Sequence, residues 1–122
     1  MVSAPRRGEV RWIEVPGAGR RPALVLTRNA AIPILNRVLV VPATRTVRRI
    51  PTEVLLDDHD GMPSSCALTL DNLTVVPRAA LGARITQLDE GRMAEVCAAL
   101  RVAVACDAPR TPLRPLAAGD AT

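Results

Sequence analysis

The residues able to do chemistry are few in kind and gathered in one half of the chain. All sixteen cations are arginines and none is lysine, so Schiff-base, P-loop and amine-base chemistries are excluded. Residues 1–56 carry ten arginines against Glu9, Glu14 and Glu53, a balance of +7; residues 57–122 carry six against nine acids, a balance of −3, giving the net +4. The basic half is where a polyanion would dock, and the planar guanidinium fork is the side chain that best fits a phosphate. Within that half, Arg20-Arg21-Pro22 leads into one apolar segment, Thr44 ends the next, and Arg45, Arg48 and Arg49 follow it. If the two segments are neighbouring strands, Arg21 and Thr44 share a rim. A fixed guanidinium beside a hydroxyl suits a phosphate and the charge that grows on it under attack. Attack by a ribose 2′-hydroxyl on its own 3′-phosphate needs neither an external nucleophile nor a metal, and RNA, not DNA, has that hydroxyl. The competing reading is structural, with Arg21 paired to Glu9 or Glu14 on a sheet surface.

Other motifs are sparse. No metal-binding helix, nucleophile elbow or Gly-rich phosphate loop with Lys-Ser is present. Gly17-Ala18-Gly19 reads as a tight turn, and Asp57-Asp58-His59-Asp60-Gly61 as an exposed acidic turn rather than a metal cluster. Cys66, Cys97 and Cys106, with the single His59, fit neither a zinc site nor a disulfide framework, and Cys97 is assigned to core packing. No metal or cofactor is expected. Trp12 is the only aromatic residue, which disfavours binding that stacks successive bases on several platforms. No apolar stretch approaches a bilayer span and no charged leader with an apolar core opens the chain, so a cytoplasmic location without membrane contact is expected.

The elements that must position these residues follow from periodicity. Residues 8–15 approach a two-residue alternation, with Val10, Trp12 and Val15 inward, and predict a half-buried strand. A turn at 16–19 precedes a second strand at 23–26, introduced by Pro22. Residues 38–41 form the strongest strand, buried on both faces and stopping at Pro42. The stretch 44–50 cannot bury its arginines and is a basic loop or hairpin tip. Strands at 52–56, 66–70 and 73–76, a helical turn at 77–81 and a brief strand at 84–86 complete the β portion. The period then changes to 3.6, with Met93, Val96, Cys97, Leu100 and Val104 on one helical face, Asp89 as N-cap and Glu90 at the positive end of the dipole. Short strands followed by one helix predict an α+β domain built on a small closed or half-closed antiparallel barrel, spanning residues 1–106. Residues 107–122, with Pro109, Pro112 and Pro115 and no periodicity, predict a disordered tail.

These segments resemble a family. Arg7-Gly8-Glu9-Val10 before a Trp-bearing strand, Arg21-Pro22-Ala23-Leu24-Val25-Leu26, and the strand 38–44 ending in threonine are similar to the MazF/PemK toxins, metal-independent endoribonucleases of bacterial toxin–antitoxin systems. Pro51-Thr52-Glu53-Val54, residues 65–76, Ile85 and the helix 88–104 extend the likeness over about residues 6–106. The resemblance implies an SH3-like antiparallel β-barrel of the CcdB/PemK type with a C-terminal amphipathic helix, and a homodimer. It also implies cleavage of single-stranded RNA at short sequences, leaving 2′,3′-cyclic phosphate and 5′-hydroxyl ends and arresting translation and growth. The family's catalytic arginine falls on Arg21 and its threonine on Thr44. Because a guanidinium hardly deprotonates, Arg21 is assigned to stabilising phosphorane charge and Thr44 to donating a hydrogen bond to a phosphate oxygen. Arg20, Arg28, Arg45, Thr46, Arg48, Arg49, Ser65 and Asn72 are the RNA-contacting residues expected with them. A MazE-like antitoxin is the implied partner, its acidic flexible segment covering Arg21 and the Arg45 to Arg49 surface.

The chain departs from many members in a shorter 15–20 turn, an abbreviated segment after Thr44, Asn72-Leu73-Thr74 where a Gln followed by Ile-Arg is common, and Ser64 where an acid often precedes the serine. Base recognition is expected to change with these positions. Two alternatives fit the same residues: a gyrase inhibitor of the CcdB type, which has the same barrel but acts through aromatic residues at its terminal helix, and a non-catalytic RNA-binding module.

Overall fold

A computed structural model describes residues 3–106 of the chain; the expected tail at 107–122 lies outside the described residues. Seven strands and one α-helix follow in order: β1 (Glu9–Val15), β2 (Gly19–Val25), β3 (Arg37–Thr44), β4 (Glu53–Leu56), β5 (Cys66–Thr69), β6 (Thr74–Pro77), β7 (Leu81–Gln87) and α1 (Glu90–Ala103). Single 3-10 turns stand at Asp58–Asp60, Leu70–Asn72 and Arg78–Ala80. The class is α+β, as the sequence predicts.

All pairings are antiparallel, and the strands run β4-β5-β3-β2-β1-β7, with β6 also on β3. The end strands β4 and β7 do not pair with each other, so the barrel is open. β3 holds the sheet together. One edge pairs with β2 through Val40, Val41 and Pro42, while the other pairs with β6 from Arg37 to Val40 and then with β5 at Ala43 and Thr44. The strand therefore does not stop at Pro42. Proline has no N–H to give, and the change of partner falls between Val40 and Ala43, where Pro42 withholds no bond from β5 or β6.

The bent sheet has apolar side chains on both faces. Val10, Leu24, Val41, Leu56 and Leu68 pack with Val96 and Ala99 of α1, while Ile13, Ala23, Val25, Val40 and Leu81 form a second cluster. This double burial corrects the alternation expected for β1: Val10 and Ile13 are buried, and Trp12 and Val15 are only half-buried. Glu9 and Arg11 are buried as well, and they satisfy one another. The Arg11 guanidinium lies 3.0 Å from Glu9 Oε1 and donates to the Ser3 and Gly82 carbonyls, Ser3 Oγ and the Ala4 carbonyl. A buried charge is tolerable on these terms. Gly8, just before β1, has φ +91°, and its N–H and C=O bond to Val25 and Leu88; a side chain there would meet Gln87.

On α1, the Asp89 side chain accepts the Arg92 N–H at 2.7 Å, making the predicted N-cap. The helix ends at Ala103. Val104 is its exposed C-cap and not part of the buried face, which Ala99 and Ala103 complete instead. Cys97 is half-buried, and its Sγ lies 3.5 Å from Arg7 Nη2. Among the described residues no helix is long and apolar enough to cross a membrane.

Candidate nucleic-acid cleft

The pairing of β2 with β3 runs Ala23 to Pro42, Leu24 to Val41 and Val25 to Val40. Carried two residues further, that register sets Arg21 across from Thr44. Both line one cleft of about 480 Å³, together with Trp12, Arg20, Pro22, Arg45, Thr46, Met62, Pro63, Ser64 and Cys66. The rim imagined from the sequence is real.

Arg21 is half-buried, and among the described residues neither Glu9 nor Glu14 pairs with it: Glu9 is held by Arg11 and lies 3.6 Å from Arg84. A guanidinium half out of water without an acid is a ready site for an anion. Thr44 Oγ1 accepts the Thr46 N–H at 3.1 Å. That bond fixes the oxygen and occupies a lone pair, leaving the hydroxyl proton to donate into the cleft. Arg20 lies over the Trp12 ring, with Cζ 4.5 Å from its centroid. Burial pushes the Cys66 thiol up, with the negative charge of Asp60 adding to it, so the thiol stays neutral at ordinary pH. The lining residues include no carboxylate and no imidazole. This cleft can therefore neutralise charge and donate hydrogen bonds but has no side chain suited to accept a proton near neutrality.

One wall of the cleft is the segment after β4. Asp57 and Asp60 close a capping box around Asp58–Asp60, and Gly61 ends the turn at φ +87°. Arg92 of α1 grips Asp60 with two bonds, 2.8 and 3.2 Å, and Thr86 Oγ1 donates to the Asp60 carbonyl at 2.8 Å. Burial acts to raise the Asp60 carboxyl, but the Arg92 and Asp57 hydrogen bonds with the Arg92 and His59 charges outweigh it and hold the group below its usual range. Asp57, Asp58 and His59 do bring one ligand atom each within 4.8 Å of one another, but their polar atoms already cap the turn or pair with each other.

The predicted basic loop is shaped by Glu53. Its Oε1 accepts the backbone N–H groups of Arg48 and Arg49 at 2.9 and 3.0 Å, and Arg49 takes φ +55°. Arg45 and Thr46 open onto the cleft, whereas Ser65, Arg49, Val47 and Asp57 border a neighbouring depression. Arg48 is exposed on the same loop. Two expected contact residues stand apart. Arg28 follows β2 at its far end, roughly 20 Å of strand from Arg21, and Asn72 ends an exposed 3-10 turn outside the cleft lining. Sequence reasoning did not assign Trp12, Met62, Pro63 or Glu53 to the site, since burial and ring contacts leave no spacing signal; Ser64 entered only as a departure from the family pattern.

A larger cavity of about 980 Å³ lies between the N-terminal segment, residues 29–36 and residues 77–81. Two of its arginines are committed to the fold, Arg11 as above and Arg78 to the Ile32 carbonyl at 2.7 Å; the third, Arg6, uses its backbone N–H on Glu9 Oε1 at 2.7 Å. The smaller cleft is the one that joins an arginine to a threonine hydroxyl, Arg21 and Thr44.

Residues 6–104 match the family described as PemK-like, MazF-like toxin of type II toxin–antitoxin systems. The chain belongs to this family. It is similar to "Probable endoribonuclease MazF5" of Mycobacterium tuberculosis, 46% identical over 87% of this chain and 98% of that protein. "Probable endoribonuclease MazF2" of the same species is 40% identical over 83% and 99%. Among solved structures, the Mycobacterium tuberculosis toxin MazF-mt6 superposes with a TM-score of 0.74 at 30% identity, over 80% of this chain and 96% of that one. A mycobacterial endoribonuclease in complex with its cognate antitoxin gives a TM-score of 0.75 at 28% identity, over 88% and 100%. The family's fold thus accounts for the open antiparallel barrel with its terminal helix, and family membership agrees with the resemblance drawn from Arg7-Gly8-Glu9-Val10 and Arg21-Pro22.

Proposed function

We propose that the protein is the toxin of a toxin–antitoxin pair and cuts single-stranded RNA without a metal ion. The observation that carries the reading is the Arg21 guanidinium, without an acid partner among the described residues, and the Thr44 hydroxyl in one cleft. In this reading the ribose 2′-oxygen attacks the adjacent phosphorus, the P–O5′ bond breaks, and the products are a 2′,3′-cyclic phosphate and a 5′-hydroxyl that takes up a proton. Arg21 neutralises the charge on the equatorial phosphorane oxygens, and Thr44 donates a hydrogen bond to one of them. Arg45 and Thr46 hold the flanking backbone. The 2′-hydroxyl proton leaves to water or to the phosphate itself, because nothing lining the cleft is a base near neutrality.

Relatives named as endoribonucleases and a structural neighbour solved with its antitoxin support this reading over the binding module and the gyrase inhibitor. The helix end offers no aromatic side chain, for the one aromatic residue lies in the cleft. A cytoplasmic homodimer neutralised by a MazE-like antitoxin completes the proposal. The MazE–MazF complex of Deinococcus radiodurans, at a TM-score of 0.70 and 27% identity, supports such a partner. Domain limits of 1–106 with a separate 107–122 tail belong to the same proposal.

The test is purified protein on a mixed single-stranded RNA pool in excess EDTA, with the 5′-hydroxyl ends sequenced. Ends should cluster at one short motif, be all but lost in Arg21→Ala and fall about tenfold in Thr44→Ala. Equal ends from wild type and both variants would refute the assignment.

A further inference from the structure

Resting on the RNA-cleaving reading, we infer that the Trp12 indole and the Arg20 guanidinium stacked on it form a nucleobase platform at the mouth of the cleft, beside the phosphate held by Arg21 and Thr44. The β1–β2 register pairs Trp12 with Pro22 and Glu14 with Arg20, so Arg20 is the diagonal neighbour of Trp12 on the same face. Its Cζ stands 4.5 Å from the ring centroid, within cation–π range. Glu14, directly across from it, makes no ion pair with it among the described residues, so the side chain lies on the indole and not on the acid. Trp12 is half-buried, and Arg20 above its ring is exposed.

A guanidinium is flat and has two faces. With Cζ over the ring and the side chain exposed, Arg20 leaves a face for a base at the cleft that it lines with Arg21, Thr44 and Arg45. Arginine planes stack on nucleobases as aromatic rings do, and every base has a π-face to offer. Arg20 and Arg21 are consecutive in β2 and leave opposite faces of the strand. A nucleotide at the strand end would therefore meet a stacking surface on one side and a phosphate-binding fork on the other. In a chain without Phe or Tyr, this pair is the stacking surface available. Only unpaired bases can use it, since those of a duplex have both faces covered.

Trp12 is also the sole tryptophan in a chain without tyrosine, so its emission reports the platform without background. The experiment titrates the full chain with a 2′-O-methyl RNA oligonucleotide, which cannot cyclise, and with its abasic counterpart carrying the same number of phosphates. The base-bearing strand should change Trp12 emission and bind on the order of tenfold more tightly than the abasic one. Arg20→Lys keeps the charge and removes the plane; it should erase that preference while leaving abasic binding within about twofold. Arg20→Gln, also at an exposed position, should lose the preference and weaken both strands. Equal affinity of wild type for the two strands, a preference without change in emission, or a preference intact in Arg20→Lys would each overturn the platform. If the protein cleaves RNA but shows one of these results, only the platform fails. If it neither cleaves RNA nor binds either strand, the nuclease reading fails and the platform falls with it.

Discussion

Arg11 and Arg21 project from the same face of the β1–β2 hairpin, one register step apart on adjacent strands, and their surroundings are opposite. Arg11 is sealed from water, and Glu9, Ser3, Ala4 and Gly82 accept its hydrogen bonds. Arg21 is half-exposed and has no acid or carbonyl partner among the described residues. The first is a structural arginine whose valences the protein fills. The second is left for something from outside. Sequence composition counts the two alike, and only the acceptors around each separate them.

Deleting each arginine in turn, with stability and activity read separately, tells the two roles apart. Arg11→Ala leaves Glu9 buried without its partner and should lower unfolding stability by about 3–5 kcal/mol in urea titration. Cleavage per folded molecule should survive. Arg21→Ala should do the reverse, leaving the urea midpoint unmoved while the single-turnover rate falls by about 10²–10³-fold. Arg21→Lys should recover little, because an ammonium cannot bridge two phosphate oxygens in one plane. A folded, inactive Arg11→Ala or an unfolded Arg21→Ala would reverse the roles.

Thr44→Ala should slow cleavage by about tenfold, the worth of one hydrogen bond to a charged group, and Thr44→Ser should restore most of the rate. Arg92→Ala should release the wall of the cleft at a cost of about 1 kcal/mol in stability. That cost depends on pH in a definite sense. The Asp60 carboxyl is depressed in the folded protein, so its contribution is complete above the usual carboxylate value of about 4 and disappears as pH falls through the folded value. The stability gap between wild type and Arg92→Ala should be constant from neutrality down to that region and close below it. The smallest effects belong to Arg28→Ala and Asn72→Ala, within about twofold in rate, since both lie away from the cleft. A tenfold loss in either would mean that the RNA path runs farther along the sheet than the cleft.

The order of strands, the Asp89 cap and the Arg21–Thr44 pair were legible in the sequence because each leaves a local mark: alternation, a polar residue before a 3.6 period, a charged residue at a strand end. The length of β3 was not, since Pro42 signals a stop in isolation and becomes harmless only where a strand changes partners. The burial of Glu9 and Arg11 was not legible for a related reason. Charged residues read as surface until a second cluster covers their face, and the Ile13 to Leu81 cluster is assembled from strands far apart in the chain. Ser65 was expected to contact RNA and borders the neighbouring depression, while Ser64, noted only as a departure from the family pattern, lines the cleft; which of two adjacent loop serines faces the cleft is not encoded in their sequence.

The partnership of β3 with β5 also sets a clock. Thr44 is held against Ala67, and Ile13 of the first strand against Leu81 of the last. As the chain leaves the ribosome, Arg21 and Thr44 are made early, but the strand that secures Thr44 and the loop that walls the cleft are made later. At about 5–20 residues per second, the interval lasts one to several seconds. Over that window Arg21 and Thr44 exist without the strand and loop that complete the cleft.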